Sequence, residues 1–88
     1  MPKIRLSKRF LDAFADLPAE IQQKADKTLE LLRQDPRYPS LQTKPVQGRE
    51  GIYEARVDIH YRLTYNRLHG DFLVIRTVGR HDHVLRNP

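Results

Sequence analysis

The chain has 88 residues, which is enough for one domain. It has no cysteine, which excludes disulfides and thiolate zinc sites. It carries 16 Lys or Arg against 11 Asp or Glu, a formal net charge of +5 that favours nucleic acid or an acidic protein as partner. A basic surface kept only for solubility is the alternative. No apolar run approaches the ~20 residues that span a bilayer and no signal stretch is visible, so we expect a cytoplasmic protein without membrane contact.

The first half of the chain predicts one strand and two helices. Residues 3–6 alternate polar and apolar side chains, which is typical of a short strand. Ser7 can cap a first helix, whose apolar residues keep a helical spacing as far as Leu17. Pro18 opens a second, amphipathic helix that ends before Pro36. Two helices joined by so short a link form an antiparallel hairpin, and their apolar faces need a sheet to cover.

The second half predicts a small sheet. Residues 36–48 read as a loop, since they contain three prolines and a glycine without a clear period. Strands follow at residues 51–57, near 60–67 and at 72–78, the last of them almost wholly apolar and β-branched. The sequence therefore predicts a single α+β domain over residues 1–88. Its order is β-α-α-β-β-β, with the helical hairpin packed on a small, mostly antiparallel sheet.

Alternation along the strands places two arginines together. Glu54 and Arg56 share one face of their strand, and His60, Arg62 and Thr64 share one face of the next. If these strands form a hairpin, Arg56 and Arg62 lie on one surface. Two like charges at that separation are costly unless an anion or a carboxylate lies between them. The alternative is an ordinary surface network in which Glu54 and nearby acids neutralise both arginines.

Arginine dominates the positive charge of the second half. From residue 44 onward there are eight Lys or Arg, of which seven are Arg, and all four histidines lie there too. The flat guanidinium offers five donors suited to phosphate oxygens, whereas Lys is a point charge. Arg76 stands apart, because alternation puts it on the face of Phe72, Val74 and Val78. The sequence is equally consistent with two roles for Arg76, a salt bridge at the end of the strand or the binding of a ligand.

Residues 79–83, Gly-Arg-His-Asp-His, form the closing turn and the best candidate for chemistry. A histidine with a pKa near about 6.5 can move protons at neutral pH, and Asp82 could orient His81, although neighbours along a strand point apart. RNA cleavage needs proton transfer and cations for the pentavalent phosphate. His81 with Arg56 and Arg62 supplies most of this without a metal or other cofactor. Two alternatives remain open, a metal site at residues 81–83 and a polar tail without a role.

Several short motifs resemble the RelE/ParE superfamily of bacterial toxin–antitoxin toxins. They cover nearly the whole chain and comprise Phe10 through Leu17-Pro18, Gly48 before a strand, Tyr53-Glu54-Ala55-Arg56-Val57, Tyr61-Arg62-Leu63-Thr64-Tyr65 and Val78-Gly79-Arg80-His81-Asp82.

The resemblance implies a type II toxin, most similar to the RelE and YafQ branch, that cleaves messenger RNA in the ribosomal A site. It implies catalytic roles for His81, Arg62 and Arg56. Roles in phosphate or RNA binding fall to four further residues, Arg80, Lys44, His60 and His83. It also implies a cognate antitoxin as partner, with mRNA and the ribosome as targets. The alternative within this superfamily is a ParE-like inhibitor of DNA gyrase or a non-catalytic binding protein.

Overall fold

The computed structural model describes residues 2–88, and the predicted α+β order β-α-α-β-β-β is confirmed within it. The structure adds a short strand and a final helix that the sequence did not predict. In chain order the elements are β1 (Lys3–Leu6), α1 (Lys8–Ala15), α2 (Ala19–Gln34), a 3₁₀ turn (Pro39–Leu41), β2 (Lys44–Pro45), β3 (Ile52–Arg56), β4 (Tyr61–Leu68), β5 (Phe72–Arg80) and α3 (His81–Arg86).

The five strands form one sheet in the order β1-β5-β4-β3-β2. Only β1 and β5 pair in parallel, and every other pair is antiparallel, which confirms the mostly antiparallel prediction. In the register of β3 and β4, Arg56 lies directly opposite Arg62. On its other side Arg62 lies opposite Gly79 of β5. The predicted side-by-side placement of the two arginines on neighbouring strands is therefore confirmed.

The helical hairpin begins at a capped helix. The Ser7 hydroxyl accepts a hydrogen bond from the Phe10 N–H at 3.0 Å, and it donates one to the Arg76 carbonyl of β5 at 2.9 Å. The cap thus satisfies a free N–H of the first turn and also ties α1 to the sheet. The core beneath the hairpin contains Phe10, Leu32, Leu41, Ala55, Leu63, Tyr65, Leu73, Ile75 and Val78.

The final helix α3 also packs against β4 and β5. Val84 anchors α3, since it is fully buried, and a Cβ added at Gly79 would lie 3.2 Å from the Val84 Cγ2 atom. Gly79 thus lets the helix approach the strand closely.

Two polar residues of the sheet are buried: Glu54 is 3% exposed and Thr64 is fully buried. The alternation predicted that they share a face but not that this face is buried.

An irregularity between β4 and β5 corrects the predicted place of Arg76. Thr64 pairs with Thr77 and Tyr65 with Ile75, so Arg76 has no opposite residue and forms a bulge. The bulge reverses the alternation, so Val78 joins the core while Arg76 does not. Arg76 instead donates from Nη1 to the Asn66 Oδ1 at 2.8 Å and from Nε to the Pro88 main-chain oxygen at 2.9 Å.

Two predicted loops are partly regular structure. Lys44 was expected in a loop, but it begins β2 and lies opposite Glu54 of β3. The closing turn at residues 79–83 is also not a turn, because β5 continues to Arg80 and α3 starts at His81. Within residues 2–88, no helix is long and apolar enough to cross a membrane.

Candidate functional site

One open pocket, of about 260 Å³, collects most of the predicted site residues. It lies where the loop between β3 and β4 meets the start of α3. Four of the seven residues that the sequence singled out line it, together with Ile59 and Asp82. The lining residues are Ile59, His60, Arg80, His81, Asp82 and His83.

Main-chain hydrogen bonds hold the two sides of this pocket together. The His81 N–H donates to the His60 carbonyl at 2.8 Å, which fixes the start of α3 against the loop. The loop itself is shaped by Asp58, whose Oδ1 accepts from the N–H groups of His60 and Tyr61 at 2.8 and 2.9 Å. A carboxylate that accepts from the main chain two and three residues further on stabilises a tight turn. The pocket therefore has a defined backbone on both sides.

The Asp58 carboxylate is held in its ionised form. Burial acts to raise its pKa, but the two main-chain N–H groups and the Lys24 ammonium outweigh that effect, so the pKa is lowered. The Lys24 Nζ lies 3.5 Å from the Asp58 Oδ2. At neutral pH the loop beside the pocket is thus stabilised by a charged acceptor.

The imidazole of His81 has a carboxylate beside it. The His81 Nδ1 lies 3.5 Å from the Asp82 Oδ1, and His81 is 40% exposed at its side chain. The sequence prediction that these neighbours point apart is wrong, because it assumed a strand, whereas both residues lie in the first turn of α3. Asp82 is therefore close enough to orient an accessible imidazole.

Arg80 is positioned by an aromatic ring. Its guanidinium carbon lies 5.6 Å from the centre of the Tyr61 ring, and the two residues are opposite each other on β5 and β4. Such cation–π contacts orient a guanidinium without using its hydrogen-bond donors. Arg80 lines the pocket, and no hydrogen bond within residues 2–88 uses its guanidinium. The sequence prediction placed Tyr61 in the core and missed this role, although an Arg across from a Tyr is visible once the register is known.

Arg62 is half-buried and contacts the protein along most of its guanidinium. Its Nη1 donates to the carbonyls of Asp58 and Tyr61, and its Nε lies 3.7 Å from the Glu54 Oε1. The sequence left open that Glu54 neutralises the charge of Arg62, and the structure shows this contact. No hydrogen bond uses the Arg62 Nη2 group within residues 2–88, and no buried side-chain nitrogen there lacks a partner. That group therefore reaches solvent with its donors available.

Arg62 does not line this pocket, and two further predicted site residues lie elsewhere. Arg56 donates from Nη1 to the Gln42 Oε1 at 3.5 Å and lines a separate pocket against α2. Lys44 lines a third pocket together with Glu54 and Leu85. The backbone pairing of Arg56 with Arg62 therefore does not bring both guanidinium groups to one pocket.

The described residues form no obvious metal centre. Over residues 2–88 there is no group of three or more His, Cys, Asp or Glu side chains that could hold a metal ion. His81, Asp82 and His83 follow one another in the first turn of a helix and do not form such a group.

Comparison with solved structures identifies the fold. The chain is similar to YafQ from Escherichia coli strain BL21(DE3), with a TM-score of 0.76 and 19% identity over 96% of this chain and 98% of that one. A chain of the archaeal RelE–RelB complex from Pyrococcus horikoshii OT3 gives a TM-score of 0.73 and 18% identity over 90% and 93%.

A chain of the toxin–antitoxin complex RelBE2 from Mycobacterium tuberculosis is similar as well, with a TM-score of 0.73 and 24% identity over 92% of this chain and 100% of that one. No protein-family model and no curated protein sequence matches the chain. The protein has the fold of the RelE/ParE superfamily toxins, and the predicted resemblance is confirmed at the level of the fold.

Proposed function

We propose that the protein is the toxin of a type II toxin–antitoxin system and that it acts as a ribosome-dependent mRNA endoribonuclease. Solved structures of the same fold include toxin–antitoxin complexes. The fold alone does not define a reaction, so the activity must be argued from the site. The observation that carries the proposal is the pocket that joins His60, Arg80, His81 and His83.

The chemistry of that pocket suits cleavage of a phosphodiester beside a ribose 2′-hydroxyl. In that reaction the 2′-oxygen loses its proton and bonds to phosphorus, while the bond from phosphorus to the 5′-oxygen breaks and the leaving oxygen gains a proton. His81 moves a proton, with Asp82 beside it to orient the ring. Such general acid–base transfer typically contributes about 10²–10⁴-fold in rate.

Arginines stabilise the charge that develops on the phosphate. Arg80 presents its guanidinium at the pocket. Arg62 follows Tyr61, the residue opposite Arg80, and no hydrogen bond within residues 2–88 uses its Nη2 group. Arg56, Lys44, His60 and His83 bind further parts of the RNA. Preorganised cations of this kind act most strongly where charge appears only in the transition state.

A second candidate function is supported by the contacts that Arg62 makes within the protein. Its contacts with Glu54 and with two carbonyls take up much of its charge and donor capacity. A protein that binds its target without cutting RNA, including a ParE-like inhibitor of DNA gyrase, needs no free arginine there. In either case we expect a cognate antitoxin as partner and an action in the cytoplasm.

Induced expression in bacteria separates these functions. The nuclease predicts growth arrest with mRNA cut in the ribosomal A site, and the His81→Ala variant should then lose both effects. Filamentation with an SOS response would instead support gyrase inhibition, and normal growth would support an inert binding protein. Arg62→Lys keeps the charge beside Glu54 but loses the planar guanidinium, so it should reduce cutting while the domain stays folded.

A further inference from the structure

The loop between β3 and β4 has a second pocket on its other side. This pocket is about 290 Å³ and lies between α2 and the end of β3. Val57 and Asp58 of the loop line it. Ile59 and His60 line the pocket of about 260 Å³ described above, which also contains His81 and is called the His81 pocket here. Residues 57–60 are four consecutive residues and therefore extend over at most about 14 Å. The two pockets are close enough for one extended ligand strand to reach both.

Positive charge in this second pocket is only partly neutralised. Lys24 is paired with Asp58 at 3.5 Å and lies 3.9 Å from Glu20. Lys27 and Arg56 line the same pocket, and among residues 2–88 neither has a carboxylate partner. Within the described residues, the one hydrogen bond of the Arg56 side chain goes to the neutral amide of Gln42, at 3.5 Å. Two cations thus face one pocket, and the carboxylate beside them is already paired.

The remaining lining suits a nucleotide rather than a bare ion. Leu31 and Val57 are partly exposed and provide apolar surface, and the exposed Ser40 provides a hydroxyl. The apolar side chains can contact a base or a ribose, while the guanidinium and ammonium groups bind the phosphate. The Thr28 hydroxyl is occupied, since it donates to the Arg56 carbonyl at 3.2 Å and so holds β3 against α2.

We propose that this pocket, with Lys27 and Arg56 as its anion-binding groups, is a phosphate subsite for single-stranded RNA that continues past the loop from the His81 pocket. The inference rests on the proposed RNA-cleaving function, because that function places RNA at the loop. It gives Arg56 a role in binding a flanking phosphate, apart from the phosphate that is cut. An acidic peptide is the competing ligand, and the test distinguishes it.

The test measures the fluorescence anisotropy of a labelled 12-nucleotide uridine RNA with the full-length chain. All proteins carry His81→Ala so that the RNA stays intact. Adding Lys27→Ala should weaken binding about three- to tenfold and lower the slope of log K against log salt by about 0.7. Lys3→Ala removes one exposed charge from β1, at the opposite edge of the sheet, and is the matched control. It should change the affinity less than about twofold.

Unchanged RNA binding after Lys27→Ala, or no RNA binding by the parent protein at low salt, would overturn the subsite. A loss of binding to a labelled 12-residue polyglutamate, with RNA binding unchanged, would assign the pocket to an acidic peptide instead. These outcomes are separate from the proposed activity. Cleavage that depends on His81 can persist when the subsite fails, and RNA binding that depends on Lys27 can persist when the wild-type protein cuts no mRNA.

Discussion

The Arg62 Nε lies 3.7 Å from the Glu54 Oε1, and this pair connects β4 to β3 in the covered part of the sheet. The Glu54 side chain is 4% exposed and that of Arg62 is 16% exposed. Removing one member of such a pair leaves the other charge buried without its partner, which costs more than the pair itself contributes. The pair therefore positions the guanidinium and also limits how it can be tested.

Glu54→Ala and Arg62→Ala should each lower the free energy of unfolding by about 2–3 kcal/mol, since the pair is less than fully buried. The double variant Glu54→Ala/Arg62→Ala should cost less than the sum of the two single losses, by about 1–2 kcal/mol. Urea denaturation of the four proteins measures this coupling. Additive losses would show that the two side chains do not interact.

Asp58 gives the loop beside the candidate site a pH dependence. Its pKa is lowered in the folded protein, so its contribution to stability is present above the unfolded pKa of about 3.9 and is lost as the pH falls through the folded value. Asp58→Asn should therefore lower the free energy of unfolding by about 1 kcal/mol at pH 7. Urea denaturation at several pH values should show the difference beginning to shrink as the pH falls below about 4, whereas a difference independent of pH would contradict this account.

The hydroxyl of Ser7 both caps α1 and holds β5. Because it accepts from Phe10 and donates to Arg76, its loss leaves two main-chain groups without this partner. Ser7→Ala should destabilise the fold by about 1–2 kcal/mol in chemical denaturation. Ser40→Ala, at an exposed serine in the 3₁₀ turn, is the matched control and should change stability by less than about 0.5 kcal/mol.

Docking of α3 should matter more for activity than for global stability. Val84 is fully buried against Gly79, and α3 carries both His81 and His83. Val84→Ala should cost about 1–2 kcal/mol and loosen the helix, which would be detected as faster amide exchange at Val84 and Leu85. Cleavage should fall at least about tenfold, because misplacing a catalytic group is costly. Arg86→Ala, at an exposed position of the same helix, should leave exchange unchanged.

The sequence predicted the elements whose signals are local. Ser7 as a cap, the end of α2 before Pro36 and the pairing of Arg56 with Arg62 all follow from spacing and turn chemistry within a few residues. The strand β2 has only two residues, Lys44 and Pro45, so it carries no period and exists only through its pairing with β3. The six residues of α3 are likewise too few for a helical pattern.

The sequence predicted which residues belong to the candidate site better than it predicted how they are arranged. Alternation identified the faces of Glu54 and Arg56 but not that α3 covers the neighbouring strands, so the burial of Glu54 was missed. The bulge at Arg76 reversed the alternation in β5, which no pattern in the residues signals. The long side chain of Arg56 extends to Gln42, and this contact depends on where the 3₁₀ turn lies.

The central claim is that His81 moves a proton in the cleavage of ribosome-bound mRNA. The most direct measurement maps the 5′ ends of a defined mRNA in a bacterial translation extract, with wild-type protein, His81→Ala and the control His69→Ala, which lies in the turn between β4 and β5. We predict cuts within the A-site codon for the wild type and His69→Ala, and a rate at least about 100-fold lower for His81→Ala. Equal cutting by His81→Ala, or no cutting by the wild type, would contradict the account.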